Sequence, residues 1–151
     1  MSTPPAGRPD TAPAAGAGDA DVTTVPADGV RYATVVTAVG ALIPEFRAQG
    51  LLVFFNETAP EELHDFCLLH NPSVVHSIPR PGDVVELDGS PFVVTSVGDV
   101  VNENLIRLGH MSLKADGSTT APLPGDVCVE VGELPELGVG STMRILARPA
   151  D

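Results

Sequence analysis

Between Arg31 and Val39 the side chains alternate, with Tyr32, Thr34, Val36 and Ala38 on one face and Ala33, Val35, Thr37 and Val39 on the other. A period of two marks a strand, and two fairly apolar faces place it centrally in a sheet. Residues 41–49 read as a short helical or irregular connection, Leu51 to Phe55 as a buried strand and Val74 to Ile78 as another. Asp83 to Leu87 and Phe92 to Val97 flank Asp88-Gly89, a pair suited to the positive φ angles of a tight hairpin turn. The period then changes: Val101, Leu105 and Leu108 recur at i, i+4 and i+7 with Gly109 behind them, which predicts a short helix with a glycine stop. Alternation returns over Met111 to Asp116 and over Val127 to Val131, and a last strand runs from Thr142 to Ala147. Glycine and proline, 15 of each, break these strands at short intervals. The expected fold is mainly β, a closed or partly closed small β-barrel of complex topology with two short helices.

One stretch stands apart, TAPEELHDFCLLH over residues 58–70. Thr58 can cap a helix with Glu61 three residues on, and Pro60 suits the first turn. Pro72 disfavours helical geometry at Asn71, so the helix is expected to stop near Leu69 or His70. On such a helix Leu63, Cys67 and His70 share one side. His70 would then lie at the edge of an apolar stripe and at an element's end, within a partner's reach.

Residues 1–29 are rich in Pro, Ala, Gly and Asp and read as a disordered extension, because they offer too little apolar surface to offset the entropy of ordering. Residues 30–148 then form one domain, with 149–151 as a tail. A net charge of -12, from 8 basic and 20 acidic residues, argues against nucleic-acid binding and suits a basic partner. Two cysteines without close spacing point to reduced thiols and a cytosolic setting. No apolar run is long enough for a membrane span, and neither a phosphate-binding loop nor a dinucleotide fingerprint occurs.

Chemistry rests on four histidines, His64, His70, His76 and His110. His110 follows the Gly109 cap directly, while His64 and His76 read as structural or solvated. A zinc site from His64, Cys67 and His70 is disfavoured, since helical spacing leaves the two histidines about 120° apart. A Cys67 nucleophile paired with His70 needs a depressed thiol pKa, and a small core residue is the simpler account of Cys67. No metal or cofactor is expected. The third type is a histidine that itself accepts a phosphoryl group.

PEELHDFCLLH, followed by PGDVVELDGSPFVVTSVGDVVNENLIRLGHMSLKADG and PLPGDVCVEV, resembles the glucitol/sorbitol-specific IIA component of the bacterial phosphoenolpyruvate-dependent sugar phosphotransferase system. The likeness spans about Arg31 to Ala147. It implies a cytoplasmic phosphocarrier of closed, complex β-barrel type that takes phosphate from the histidine phosphocarrier protein HPr and passes it to IIB. The IIB and IIC components form the cognate transporter. It also implies that His70, which ends LHDFCLLH, is the phosphorylated residue. His110 of the LGH element is expected to donate a hydrogen bond to the phosphoryl oxygens, with Arg107 or Arg80 as weaker aids. Phe66, Leu68 and Leu69 around His70 suit partner docking. The rival reading is a small β-barrel binding or regulatory module without phosphotransfer.

Overall fold

The computed structural model describes residues 29–77 and 79–148. The extension expected at 1–29 falls outside them but for Gly29, and the tail at 149–151 falls wholly outside. Eight strands close into a barrel: β1 (Val30–Val39), β2 (Leu51–Asn56), β3 (Leu68–Val75), β4 (Val84–Leu87), β5 (Ser90–Val97), β6 (Met111–Lys114), β7 (Asp126–Val129) and β8 (Thr142–Leu146). The order around the barrel is β1-β3-β2-β6-β7-β5-β4-β8, and β8 pairs back onto β1. Pairs β2–β3 and β6–β7 are parallel, the other ladders antiparallel. Among the described residues closure leaves no free sheet edge. Among the described residues three short helical segments decorate it: α1 (Ile43–Ala48), a 3₁₀ turn (Glu61–Phe66) and α2 (Val101–Leu108).

Inward residues of each strand build the main core, among them Tyr32, Val36, Leu52, Phe54, Leu68, Val85, Met111, Leu113, Val127, Met143 and Ile145. A second, smaller cluster of Phe55, Ala59, Cys67 and Leu69 lies outside the barrel wall. The two clusters follow from period-two alternation, since Phe54 and Phe55, like Leu68 and Leu69, point to opposite sides of one wall.

The helix expected up to His70 is corrected. Only the 3₁₀ turn forms; Pro60 precedes it with no side-chain cap, and the Thr58 hydroxyl bonds Asn56 Oδ1 instead. Leu68 onward is strand, held by β1 on one side and β2 on the other. Pairing with two distant strands outweighs the local capping signals. Pro72 is tolerated because the β1–β3 register shifts next to its partner Thr34, and β2 has already ended opposite His70. The strand expected at 74–78 is the end of β3, with Ile78 outside the described residues.

Candidate active site at the Gly109 corner

His70 occupies the barrel interior. In parallel register it pairs with Asn56, one step beyond Phe55↔Leu69, and in the antiparallel ladder it faces Val36. Its relative exposure is 0%. The rings of Tyr32 and Phe54 stand edge-on to it, with centroids 6.3 and 5.8 Å away. Both ring nitrogens have partners at 2.6 Å, Thr34 Oγ1 at Nδ1 and the Gly109 carbonyl at Nε2. A carbonyl only accepts, so Nε2 carries the proton. Burial lowers the pKa of His70 below its usual 6.5, against weaker upward pulls from the Gly109 carbonyl and Glu57, so the ring is neutral. Nδ1 is therefore bare and accepts from the Thr34 hydroxyl.

The expectation of a reachable His70 is thus corrected. It lies mid-strand and inward, not at the end of a helix, and neither nitrogen is open to an incoming group in this arrangement. Thr34 went unnoticed as its partner; the signal available was one polar residue within the apolar stripe Tyr32, Thr34, Val36.

His110 sits across the same peptide, and the chain folds there for legible reasons. Gly109 ends α2 with φ 61°, its N–H donating to the Leu105 carbonyl while the His110 N–H donates to the Asn104 carbonyl. Strand β6 starts at Met111, which faces inward opposite Phe54, so His110 falls on the outer side of the wall. Its half-buried ring lies 5.1 Å from that of Phe55. His110 Nδ1 donates to the Phe54 carbonyl at 3.1 Å, which fixes the Nδ1–H tautomer. In the neutral ring Nε2 keeps its lone pair, and no described residue bonds it. The two imidazoles thus bracket the Gly109 corner with opposite tautomers, one sealed inside and one turned out.

The remaining expected residues divide. Leu68 is 0% exposed and Leu69 7%, both packed in their clusters, so neither offers a docking surface as expected; strand alternation buries one on each side of the wall. Phe66 is 41% exposed and stacks on Phe46 of α1. Arg107 is exposed two residues before Gly109, beside Glu103 at 3.3 Å. Arg80 is drawn elsewhere: its backbone N–H bonds Asp83, whose carboxylate pairs with Arg31 on β1, and the Arg31 carbonyl accepts from the residues just after β3. It is not gathered with His70. His64 Nε2 donates to the Ala59 carbonyl. Cys67 is buried, and desolvation pushes its thiol pKa up, away from the thiolate a nucleophile needs. Among the described residues no three His, Cys, Asp or Glu side chains gather to hold a metal ion, and no helix is long and apolar enough to cross a membrane.

The family model described as "PTS system glucitol/sorbitol-specific IIA component" matches residues 31–144. The chain is similar to proteins named "PTS system glucitol/sorbitol-specific EIIA component" from Shigella flexneri and from Escherichia coli K12. Each is 34% identical over 116 residues, covering 76% of this chain and 94% of the relative. The solved structure titled "The Crystal Structure of PTS System IIA Component from Enterococcus faecalis V583" superposes with a TM-score of 0.65 at 21% identity, over 76% of this chain and 99% of that one. At that identity the likeness concerns the fold.

Proposed function

Because this chain belongs to the glucitol/sorbitol-specific IIA components of the sugar phosphotransferase system, which are phosphotransfer proteins, we propose that it is a cytoplasmic phosphocarrier. It accepts a phosphoryl group from HPr on a histidine of the Gly109 corner and hands it to the IIB component, which serves the sugar carried by IIC.

The observation that carries this reading is a pair of imidazoles whose tautomers are each set by a backbone carbonyl, Gly109 for His70 and Phe54 for His110. Phosphoryl transfer has a loose transition state, so the protein's task is to present an unprotonated ring nitrogen in line with the donor. A carbonyl on one nitrogen serves that purpose by keeping the other free of its proton. His70 could act so only if the Gly109 carbonyl left its Nε2 and the Thr34 hydroxyl turned from donor to acceptor. A hydroxyl can do both.

The test is to mix the protein with phosphoenolpyruvate, enzyme I and HPr, then to add IIB. The expected result is one acid-labile, base-stable phosphate per chain that disappears when IIB arrives. A protein that stays unlabelled is a binding or regulatory barrel instead.

A further inference from the structure

This step rests on the phosphocarrier reading, with His70 as the acceptor that the ending of LHDFCLLH implies. We infer that Thr34 is the positioning residue of that acceptor: its hydroxyl takes the Nδ1 proton of His70, so that Nε2 is left bare to receive the phosphoryl group. The two groups that hold the ring are not equivalent. Thr34 Oγ1 and the Gly109 carbonyl each lie 2.6 Å from a ring nitrogen, but a carbonyl only accepts, whereas a hydroxyl donates or accepts. The Thr34 contact therefore survives a change of tautomer, and the Gly109 contact does not.

The surroundings decide which contact gives way. Thr34 is 2% exposed and sits in mid-strand, paired with Pro72 of β3 on one side and Met143 of β8 on the other. The β1–β3 register shifts between Ala33 and Thr34 and again between Val36 and Ala38, so these irregularities bracket the stretch that faces His70. Bulges re-aim side chains beside functional sites, and Thr34 is aimed at Nδ1 from a backbone that two neighbouring strands hold. Gly109 belongs to no strand. It lies between the end of α2 and the start of β6, next to the exposed Arg107 and Leu108. A Cβ there would stand 3.0 Å from His70 Cε1 and Nε2, so glycine keeps the Nε2 face clear of a side chain. The turn of one carbonyl at this corner thus opens Nε2, whereas Nδ1 stays covered by the sheet.

The step balances. With the corner open, the ring exchanges protons with water, losing one from Nε2 and gaining one at Nδ1. The Nε2 lone pair then forms the new N–P bond while the N–P bond to the donor histidine of HPr breaks, and that bond's electron pair returns to the donor nitrogen. Nδ1–H stays on the ring and shares the positive charge with Thr34 Oγ1 through a charge-assisted hydrogen bond. Passage to IIB breaks the Nε2–P bond and returns its electron pair to Nε2.

The test compares initial labelling rates of wild type, Thr34→Ser and Thr34→Val with phosphoenolpyruvate, enzyme I and HPr, at a temperature where circular dichroism shows each to be folded. Thr34→Ser keeps the hydroxyl and is expected to label at close to the wild-type rate. Thr34→Val keeps the shape and is expected to label about 10- to 100-fold more slowly, the scale of one hydrogen bond to a charged group. A merely structural role lowers the melting temperature and leaves the rate below it unchanged, so a folded Thr34→Val protein that labels as fast as wild type overturns the positioning role. Wild type supplies a second measurement that does not depend on any threonine variant. Nitrogen-15 NMR of the phosphorylated protein, with the His70 signals assigned by their loss in His70→Gln, is expected to show phosphorus on Nε2 and a proton on Nδ1. Phosphate on Nδ1, the atom that Thr34 faces, or on another histidine overturns the inference and leaves the phosphocarrier reading standing. Wild type that takes up no phosphate overturns that reading, and the role of Thr34 with it.

Discussion

At the scale of single residues, the sealed imidazole of His70 ties stability to pH. Its folded pKa lies below the ordinary 6.5, chiefly because burial disfavours the charged ring. Above pH 6.5 both folded and unfolded chains hold the ring neutral, and stability does not respond to it. Below that value the unfolded chain takes up a proton that the folded chain refuses, so stability falls as pH drops from 6.5 toward the folded pKa. Melting followed from pH 8 to pH 5 is expected to show this loss, and His70→Gln to flatten it. Thr34→Val keeps the shape of its neighbour's cavity but removes the hydroxyl that satisfies Nδ1. A buried acceptor left alone costs about 1–3 kcal/mol, a decrease that urea unfolding would resolve. Gly109→Ala adds a methyl against His70 at a φ of 61°, so it is expected to destabilise by about 1 kcal/mol or more and to slow labelling.

At the scale of elements, what was legible in the chain depended on whether its cause was local. The β4–β5 hairpin follows from alternation on either side of Asp88-Gly89, and both turn residues adopt positive φ, 49° and 86°. Helix α2 follows from Val101, Leu105 and the Gly109 stop. The failure fell on β3, because Thr58, Pro60 and Glu61 imitate a helix start while the strand's partners lie far off; Thr34 is 36 residues from His70. The same distance hid the burial of His70, and the side of the wall taken by His110 likewise depended on the long-range register of β6 against β2. A further element-level consequence concerns Asp88, whose carboxylate accepts from the Ser141 hydroxyl at 2.7 Å and the Thr142 N–H at 2.8 Å, tying the hairpin turn to the start of β8. Asp88→Ala loses both bonds as well as a residue tolerant of positive φ, so a loss of about 1–2 kcal/mol in thermal or urea unfolding is expected.

At the scale of the whole molecule, the barrel is closed by contacts between segments distant in sequence, and one buried charge cluster sits at that closure. Arg31 of β1 pairs with Asp83 at 2.8 Å, both side chains only 3% exposed, across a sequence separation of 52. The Asp83 carboxylate also accepts from the backbone N–H groups of Arg80 and of Arg148, beyond β8. Three stretches of chain thus meet on one carboxylate, which anchors the backbone of Arg80 there. Burying a pair of charges gains little against hydrophobic replacements, but removing one partner strands the other in a dry interior. Asp83→Asn keeps the shape and deletes the charge that Arg31 faces, with an expected cost of about 3–5 kcal/mol. This variant separates folding from chemistry. Below its lowered melting temperature its labelling by HPr should match wild type, because the cluster meets β1 at its first residues, away from Val36, which faces His70. Above that temperature labelling should vanish together with the folded signal. A folded Asp83→Asn protein that cannot be labelled would mean that this end of the barrel, not the Gly109 corner alone, takes part in phosphoryl transfer.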